Sequence, residues 1–292
     1  MTTEKFRTLR PIGERVYFSD RFLHRNDELV YVANDGKIIP PKGTMTLHRY
    51  MRLANLKEII QYGKMRFESP LRWNDPFEYL FHVPELQIGE KKHYMACCCF
   101  TWNRTANEEG LWQVHGQMNN EVGDTTIIRT SFKLDTLCKN LAKHNPDVSF
   151  YVADIDYSLS RDEILKKYRT MKGTYKDIDE YIHCLCLKRQ AFAYENEIRI
   201  FAVSEKEIQF KDMFCSFNLK YSGSLVPRIM LPPLSPQACG TDEDYGKLQD
   251  KRGNTIRYKL LNEIGYKNKN GICQSRLYDV GIKSITNKKH NK

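Results

Sequence analysis

The sequence lacks any long apolar run. Although 41% of its 292 residues are hydrophobic, no stretch approaches the roughly 18 to 20 consecutive apolar residues that a membrane-spanning helix needs. The opening residues, MTTEKFRTLR, are polar and charged and do not resemble the apolar core of a secretory signal. The length and composition allow a large hydrophobic core and exclude disorder of the whole chain. We therefore expect a soluble, cytoplasmic protein without membrane partners.

Cysteine spacings typical of disulfide scaffolds and metal sites are also missing. The nine cysteines are odd in number and include no Cys-x-x-Cys pair. Three of them are consecutive at 97–99, so on a strand their side chains alternate between the two faces, which disfavours a disulfide framework. The one tight His/Cys group, within 183–186, is more typical of buried thiols than of a zinc site. We expect no metal.

Common signatures of nucleotide and protease chemistry are absent as well. The chain has no P-loop, no Gly-x-Gly-x-x-Gly, no His-Glu-x-x-His and no Gly-x-Ser-x-Gly. ATP hydrolysis, Rossmann-type redox chemistry and zinc proteolysis therefore have no direct support. Repeats, low-complexity tracts and linker-like stretches are missing too. The simplest prediction is one α+β domain.

The segments that are present alternate between strand-like and helix-like patterns. Residues 44–51 alternate as a strand does, and 53–62 place Leu and Ile at helical spacing with Gly63 as the stop. Further strands are predicted at 64–70, 93–102, 148–157 and 194–203, and further helices at 134–143, 160–170 and 176–193.

The ends of the chain differ from its body. An Asn-Asp-Gly turn at 34–36 predicts a hairpin in an N-terminal extension, residues 1–42. The main domain is predicted over 43–282, followed by a basic tail, 283–292. Residues 251–292 contain eleven Lys or Arg and only two acids, so this segment carries +9 of the formal net charge of +10. The basicity therefore belongs to the C-terminal end.

Two polar groups early in the chain are candidates for a binding site. The first, His-Arg-Tyr at 48–50, ends a strand that runs directly into a helix. There an Arg can bind phosphates and a Tyr can stack, although a surface salt bridge with a half-buried Tyr is the structural alternative. The second, FESPLRWNDPFE at 67–78, combines aromatic, amide and acidic groups in one turn. Such loops often line ligand clefts, and a capped helix with aromatic anchors is the alternative.

A third polar group lies on the strand predicted at 194–203. Glu195, Glu197 and Arg199 alternate with Ile198 and Ile200, so the two carboxylates are predicted to lie on one face, about 7 Å apart. Like charges at this spacing either serve a function or belong to an exposed amphipathic strand.

Together these groups resemble the ADP-ribosyltransferase superfamily. More closely, the chain resembles a large prokaryotic family described as a domain of unknown function. The elements that carry the resemblance are Arg49-Tyr50, SPLRWNDPFE (69–78), CFTWN (99–103) with Trp112, and YENEIRI (194–200). The departures from the family pattern are Trp73 for Phe, Thr101 for Ser and His115 for Tyr. The resemblance spans residues 44 to 280 and implies a mixed or antiparallel split β-sheet with flanking helices.

The resemblance also implies a reaction, the transfer of ADP-ribose from the co-substrate NAD. Positive charge develops on the ribose as its bond to nicotinamide breaks, so a nearby carboxylate stabilises the transition state. Glu197 is the expected stabiliser and ligand of the ribose 2′-hydroxyl, and Glu195 the expected general base for the acceptor. Among the residues expected to bind NAD, Arg49 would contact the pyrophosphate or ribose, and Tyr50 or Phe67 would pack on the nicotinamide. Hydrogen bonds to ribose or amide groups are expected from Ser69, Asn74 and Asp75. The opposite wall of the NAD cleft is expected to be formed by Trp112 and His115.

The acceptor is less defined by the sequence. The basic segment 251–292 interleaves Tyr258, Tyr266 and Tyr278 with Lys and Arg, which favours a polyanion, and RNA before DNA. Docking of an acidic antitoxin protein is an alternative use of the same segment. The resemblance suggests a toxin that serves in phage defence. A protein acceptor, an NAD hydrolase and an inactive nucleotide sensor remain the other hypotheses.

Overall fold

The computed structural model describes residues 6–8, 13–25, 28–32, 38–39, 45–73, 75–102, 110–112, 123–171, 173–233 and 242–275. Its strands are β1 (Phe6–Thr8), β2 (Val16–Ser19), β3 (Phe22–Arg25), β4 (Glu28–Val32), β5 (Ile38–Ile39), β6 (Thr46–Arg52), β7 (Lys64–Glu68), β8 (Leu86–Ile88), β9 (Lys91–Thr101), β10 (Ile127–Lys133), β11 (Ser149–Asp154), β12 (Glu197–Ser204), β13 (Phe214–Asn218), β14 (Arg228–Leu231) and β15 (Ile272–Gln274). Its α-helices are α1 (Leu53–Tyr62), α2 (Pro76–Tyr79), α3 (Leu134–His144), α4 (Arg161–Met171), α5 (Ile178–Leu185) and α6 (Asp242–Tyr258).

A mixed sheet of 12 strands organises the described part of the chain, which confirms the α+β class. Its main path runs β1-β2-β11-β12-β9-β6-β10-β14-β15, with parallel pairs at β2–β11 and β14–β15. β9 pairs with β12 from Tyr94 to Thr101 along one edge and contacts β7 at Cys97 and β6 at Thr101 along the other, while β8 pairs with its first residues, Lys91–His93. The sheet thus divides at β9 into one branch through β6 and another through β7 and β13.

Two hydrophobic cores cover the sheet. The larger packs α1 and α3 against one face of β6, β9 and β12. The smaller packs α4 and α5 against the other face. Cys98 belongs to the first core and Cys97 to the second, so the consecutive thiols alternate as the sequence predicts. No helix in the described ranges is long and apolar enough to cross a bilayer.

Two sequence expectations are corrected by these bounds. The helix predicted over 176–193 ends at Leu185, and residues 190–195 form a separate 3₁₀ helix. The strand predicted over 194–203 begins at Glu197 and is buried on both faces, so it is not an exposed amphipathic strand. Within the predicted extension 1–42, β1 and β2 join the main sheet, while β4 and β5 pair antiparallel around the predicted hairpin turn. The tail 283–292 lies outside the described residues.

Helix α1 ends where the sequence places its stop. Gly63 adopts the left-handed conformation with φ of 60° and donates its backbone N–H to Glu58 O. Its carbonyl accepts from Leu219 N at 2.9 Å, so the turn is held close to the residue that follows β13. A Cβ at position 63 would lie 2.4 Å from the Leu219 carbonyl oxygen. Only glycine satisfies both the backbone conformation and the close approach.

Gly63→Ala tests this junction. We expect the substitution to lower the free energy of unfolding by more than the roughly 1–2 kcal/mol that a left-handed backbone costs an L-residue, because the new methyl group also meets backbone. Gly89→Ala is the matched control, since Gly89 has φ of 59° but a Cβ there meets nothing within 4 Å. Urea unfolding of both variants measures the difference. Equal losses would contradict the close-approach explanation.

Candidate functional site

A row of polar side chains crosses the centre of the sheet. Cα pairing joins Ser131 to His48, His48 to Thr101, and Thr101 to Glu197 across β10, β6, β9 and β12. Paired residues of neighbouring strands project from the same face, so these four side chains form one polar row. His48 Nδ1 lies 3.0 Å from Ser131 Oγ, which links two members directly. All four are buried.

At the Glu197 end of the polar row, three carboxylates surround two cations. We name this group the carboxylate cluster: Glu78, Lys188, Glu195, Glu197 and Arg199. Lys188 Nζ lies 2.7 Å from Glu195 Oε2, 3.0 Å from Glu197 Oε2 and 3.2 Å from Glu78 Oε1. Arg199 Nε lies 2.7 Å from Glu197 Oε1, and its Nη2 donates to Glu78 Oε2. The cluster retains one uncompensated negative charge when all five groups are ionised.

The Arg199 guanidinium is fixed on every side. Its Nη1 donates to the Leu185 carbonyl at 2.6 Å, at the end of α5. Its Cζ lies 3.8 Å from the centroid of the Trp73 ring, a cation–π contact. A planar guanidinium with several directed donors suits this setting better than an ammonium would. The Arg199 side chain therefore joins β12, α5 and the turn before α2.

The pair of glutamates differs from the sequence expectation in its backbone. Glu197 is the first residue of β12, but Glu195 ends the 3₁₀ helix, and Asn196 between them is left-handed with φ of 44°. The two carboxylates are therefore not successive residues on one strand face. They meet because both bind the Lys188 ammonium. Asn tolerates this conformation better than most residues with side chains, which explains its place between them.

Burial and charge affect the two carboxyl groups in opposite directions. Burial alone would raise the pKa of Glu197, but the Arg199 guanidinium and the Lys188 ammonium hold the pKa well below its usual range. Burial raises the pKa of Glu195, and Lys188 only partly opposes this effect. Glu197 is thus kept ionised, while Glu195 is the better proton acceptor near neutral pH. Environments that separate the pKa values of two carboxyl groups are typical of acid–base sites.

The NDPFE turn is bound to this cluster. Asp75 caps α2 by accepting from Phe77 N at 3.1 Å, and its other oxygen lies 2.9 Å from Arg189 Nε. Glu78, one turn later, reaches both cations of the carboxylate cluster. The two motifs of the sequence resemblance, NDPFE and YENEIR, are therefore halves of one buried ion-pair network. Both carboxylate oxygens of Asp75 are therefore occupied, one by the helix cap and the other by Arg189.

Residues 49 and 50 lie on opposite faces of β6. Tyr50 is two residues from His48 and shares its face, where its ring packs edge-on against Trp112 with centroids 4.8 Å apart. Arg49 projects from the other face, and its Nη1 donates to the Arg66 carbonyl at 3.0 Å. That contact bridges the two branches of the sheet. The structure thus brings Tyr50 and Trp112 to the side of Glu197 but not Arg49.

Two other residues predicted to contact NAD, Phe67 and Ser69, make contacts that stabilise the fold. Phe67 is fully buried in the larger core, edge-on against Phe217 with centroids 4.9 Å apart, so its ring is not available to nicotinamide. Ser69 is buried, and its Oγ accepts from Leu71 N at 3.3 Å as a cap. The predicted residues that lie outside the described ranges are Asn74 and His115.

Two buried polar atoms near the polar row lack a hydrogen-bond partner among the described residues. They are Thr101 Oγ1, between His48 and Glu197, and Trp112 Nε1, beside Tyr50. Buried polar groups are nearly always satisfied, so such atoms mark places for a ligand's polar groups or for water. The ribose hydroxyls and the carboxamide of NAD supply such groups. Thr101 and Trp112 therefore fit NAD on this face of the sheet.

Lys188 is the functional candidate that sequence reasoning missed. It is one of many lysines in the sequence, and it was predicted to lie within a continuous helix over 176–193. The break after Leu185 places it in an irregular segment, where its backbone N–H bonds Asp156 O at 3.1 Å. Its position seven residues before Glu195 was the available signal. Within the described ranges, no group of three or more His, Cys, Asp or Glu is arranged for a metal.

The basic C-terminal segment is partly structural. Tyr266 is buried and donates its hydroxyl to Val226 O at 3.0 Å, so it does not stack on a nucleic acid as expected. Arg252 is buried and donates to Pro233 O at 3.3 Å. Tyr258 is exposed. Tyr278 lies outside the described residues.

Comparison with known proteins shows little similarity. The chain matches no family profile and no curated protein. A solved structure of Thermus sp. 2.9 DarT with ADP-ribosylated ssDNA aligns at 11% identity and a TM-score of 0.35, over 80% of this chain and 95% of that one. The same protein with NAD+ aligns at 11% identity and a TM-score of 0.34, over 81% and 97%. Likeness at this level does not establish a shared fold.

Lys188→Met tests the carboxylate cluster. Removing the ammonium leaves three carboxylates on one cation, so we expect the free energy of unfolding to fall by about 3–5 kcal/mol. The lowered pKa of Glu197 stabilises the fold above its unfolded pKa, and this stabilisation is lost as pH falls through the folded value. Without Lys188 that folded pKa rises, so the loss begins at a higher pH.

The measurement is urea unfolding at several values between about pH 4 and pH 8. Lys206→Met is the matched control, because Lys206 Nζ lies 2.8 Å from Asp147 Oδ2 in an exposed pair. Such pairs contribute about 0–1 kcal/mol. Similar losses for Lys188→Met and Lys206→Met would show that the cluster does not depend on Lys188.

Proposed function

We propose that the chain is an NAD-dependent ADP-ribosyltransferase whose catalytic carboxylate is Glu197. The observation that carries this proposal is the buried Glu197 at the end of the polar row, ion-paired to Lys188 and Arg199 in a cluster that has one more carboxylate than cations. A fixed carboxylate in a site of low dielectric stabilises positive charge much more than one in water. NAD, when bound, supplies a ribose that becomes positively charged as its bond to nicotinamide breaks. The motif resemblance supports the same reaction.

Each residue of the site has a role in this proposal. Glu197 stabilises the developing charge and accepts a hydrogen bond from a ribose hydroxyl. Lys188 and Arg199 hold its carboxylate in place, so little reorganisation is needed during reaction. Glu195, whose pKa is raised by burial, takes the proton from the acceptor. Tyr50 shapes the apolar side of the same face.

The acceptor is proposed to be nucleic acid. RNA remains the acceptor favoured by the sequence, and single-stranded DNA offers the same phosphates and, apart from thymine in place of uracil, the same bases. The family resemblance extends this proposal to a cytoplasmic toxin of a phage-defence system, held by an antitoxin protein. A protein acceptor and water are the competing hypotheses, and they differ in where the ADP-ribose is recovered.

Glu197→Gln tests the catalytic assignment. The amide keeps the shape of the side chain but removes the negative charge, so we expect loss of NAD turnover by at least about a hundredfold. Binding of NAD, measured by calorimetry, should change much less. Glu205→Gln is the control, because Glu205 pairs with Lys91 on the surface.

Release of labelled nicotinamide and recovery of labelled ADP-ribose from RNA, DNA, protein and free solution give the readout. Label in nucleic acid supports the proposed acceptor, label in protein or free ADP-ribose replaces it, and no NAD consumption supports the sensor hypothesis. Wild-type turnover by Glu197→Gln would remove Glu197 from the catalytic role.

A further inference from the structure

Cations and aromatic rings alternate along a path that leads to the carboxylate cluster. Arg161 Cζ lies 5.4 Å from the Phe77 ring centroid, and Arg189 Cζ lies 5.2 Å from the same ring. Arg189 Cζ also lies 5.1 Å from the Phe192 centroid, and Lys188 Nζ lies 5.1 Å from that centroid. We name these five side chains the cation–aromatic ladder. They come from α2, α4 and the segment between α5 and β12.

The ladder runs from the surface to the proposed general base. Its outer member, Arg161, is exposed and has no carboxylate partner among the described residues. The Arg189 side chain is 36% exposed and uses Nε for Asp75, which leaves its outer nitrogens for a ligand. Lys188 at the inner end is buried and contacts Glu195 and Glu197. A ligand on the ladder would therefore reach the carboxylates.

Fold stability alone is a weak explanation for the ladder. Exposed cation–π contacts contribute only about 0.5–1 kcal/mol each. Phe77 and Phe192 are half-buried residues, so part of each side chain or backbone remains accessible. Ring faces flanked by guanidinium groups are what a single-stranded nucleic acid needs, because bases stack on the rings and phosphates pair with the cations.

We propose that the cation–aromatic ladder binds the acceptor as a single-stranded nucleic acid and presents a base to Glu195. This inference rests on the proposed transferase function. In the step, the C1 carbon of the nicotinamide-bearing ribose loses its bond to the nicotinamide nitrogen, which leaves with the bonding electron pair. That carbon forms a bond to a nitrogen or oxygen of the acceptor. Glu195 takes the acceptor's proton and later returns it to solvent.

The ladder lies closer to the reaction than the described part of the basic C-terminal segment does. β15, which follows that segment's helix, is separated from β12 by β14, β10, β6 and β9. Five interstrand steps correspond to about 24 Å. Two of the segment's expected contacts, Tyr266 and Arg252, are buried in the fold. Lys267 and Lys269, which directly precede β15, are exposed.

Oligonucleotide binding without NAD tests the ladder directly. The probes are fluorescein-labelled single-stranded RNA and DNA of the same mixed sequence, measured by anisotropy on the full chain. Arg161→Glu should weaken binding at least about tenfold, and Phe192→Leu about fivefold or more, as expected for one lost stacking contact. Whichever probe binds more tightly identifies the sugar that is recognised.

Matched control variants distinguish loss of the ladder from a general effect of changing a charge or a ring. Arg169→Glu makes the same charge change on α4 at an exposed position outside the ladder, and Phe210→Leu makes the same ring change at a partly exposed position. Both should bind as wild type does. If Arg161→Glu and Phe192→Leu bind like their controls, the proposal is overturned. It is equally overturned if Lys267→Glu with Lys269→Glu weakens binding and the ladder variants do not.

The failure of this inference is distinguishable from failure of the proposed function. The binding assay contains no NAD, so it does not depend on Glu197 as a catalyst. Ladder-dependent binding with no NAD consumption supports the nucleic-acid site and contradicts the transferase. NAD consumption with ladder-independent binding supports the transferase and contradicts the ladder. Recovery of label in protein alone would overturn the nucleic-acid acceptor.

Discussion

The requirement that a buried charge has a partner organises this molecule. Glu197 and Arg199 are both buried in the middle of the sheet, and the energetic cost of removing them from water is offset only by close opposite charges. Glu78, Lys188 and Glu195 complete the cluster from outside β12. The cluster thus determines where α2 lies, where α5 ends and where β12 begins. A catalytic carboxylate that must stay ionised within the protein demands such surroundings.

The two hydrophobic cores provide the second constraint, because they leave little room for polar groups. The apolar face of β6, β9 and β12 is covered by α1 and α3, and the smaller core covers one end of the other face. The polar row occupies what remains of that second face. Tyr50 and Trp112 form a small apolar group beside it. Apolar packing and polar pairing are therefore separated by face and by position along the strands.

Local patterns predicted the parts of the fold that depend on local physics. Helix α1 and its Gly63 stop follow from apolar spacing and one left-handed residue, and the alternation of Cys97 and Cys98 follows from the strand period. Both rules act over a few residues. The Asp75 cap follows from the same kind of short-range rule.

These local patterns could not predict which residues come into contact across the sheet. Glu195 and Glu197 look like strand neighbours, but the left-handed Asn196 interrupts the strand period between them. The spacing of Lys188 from Glu195 does not show that the distant Glu78 also converges on it. Likewise, the burial of Phe67 depends on its partner strand β13, which lies about 150 residues later in the chain. Such contacts are properties of the sheet topology and not of any one segment.

Net charge is a poor guide to the location of the site for the same reason. The excess of positive charge belongs to residues 251–292, yet part of it, such as Arg252 and Arg257, is used for hydrogen bonds to backbone carbonyls. The carboxylate cluster, by contrast, is negative overall and attracts a cationic centre. Charges on the ladder are few but lie beside the aromatic rings and the proposed base. What each surface can bind therefore depends on the charges close to it and not on the net charge of the chain. Exposed charges farther apart than a Debye length of about 8–10 Å are largely screened from each other.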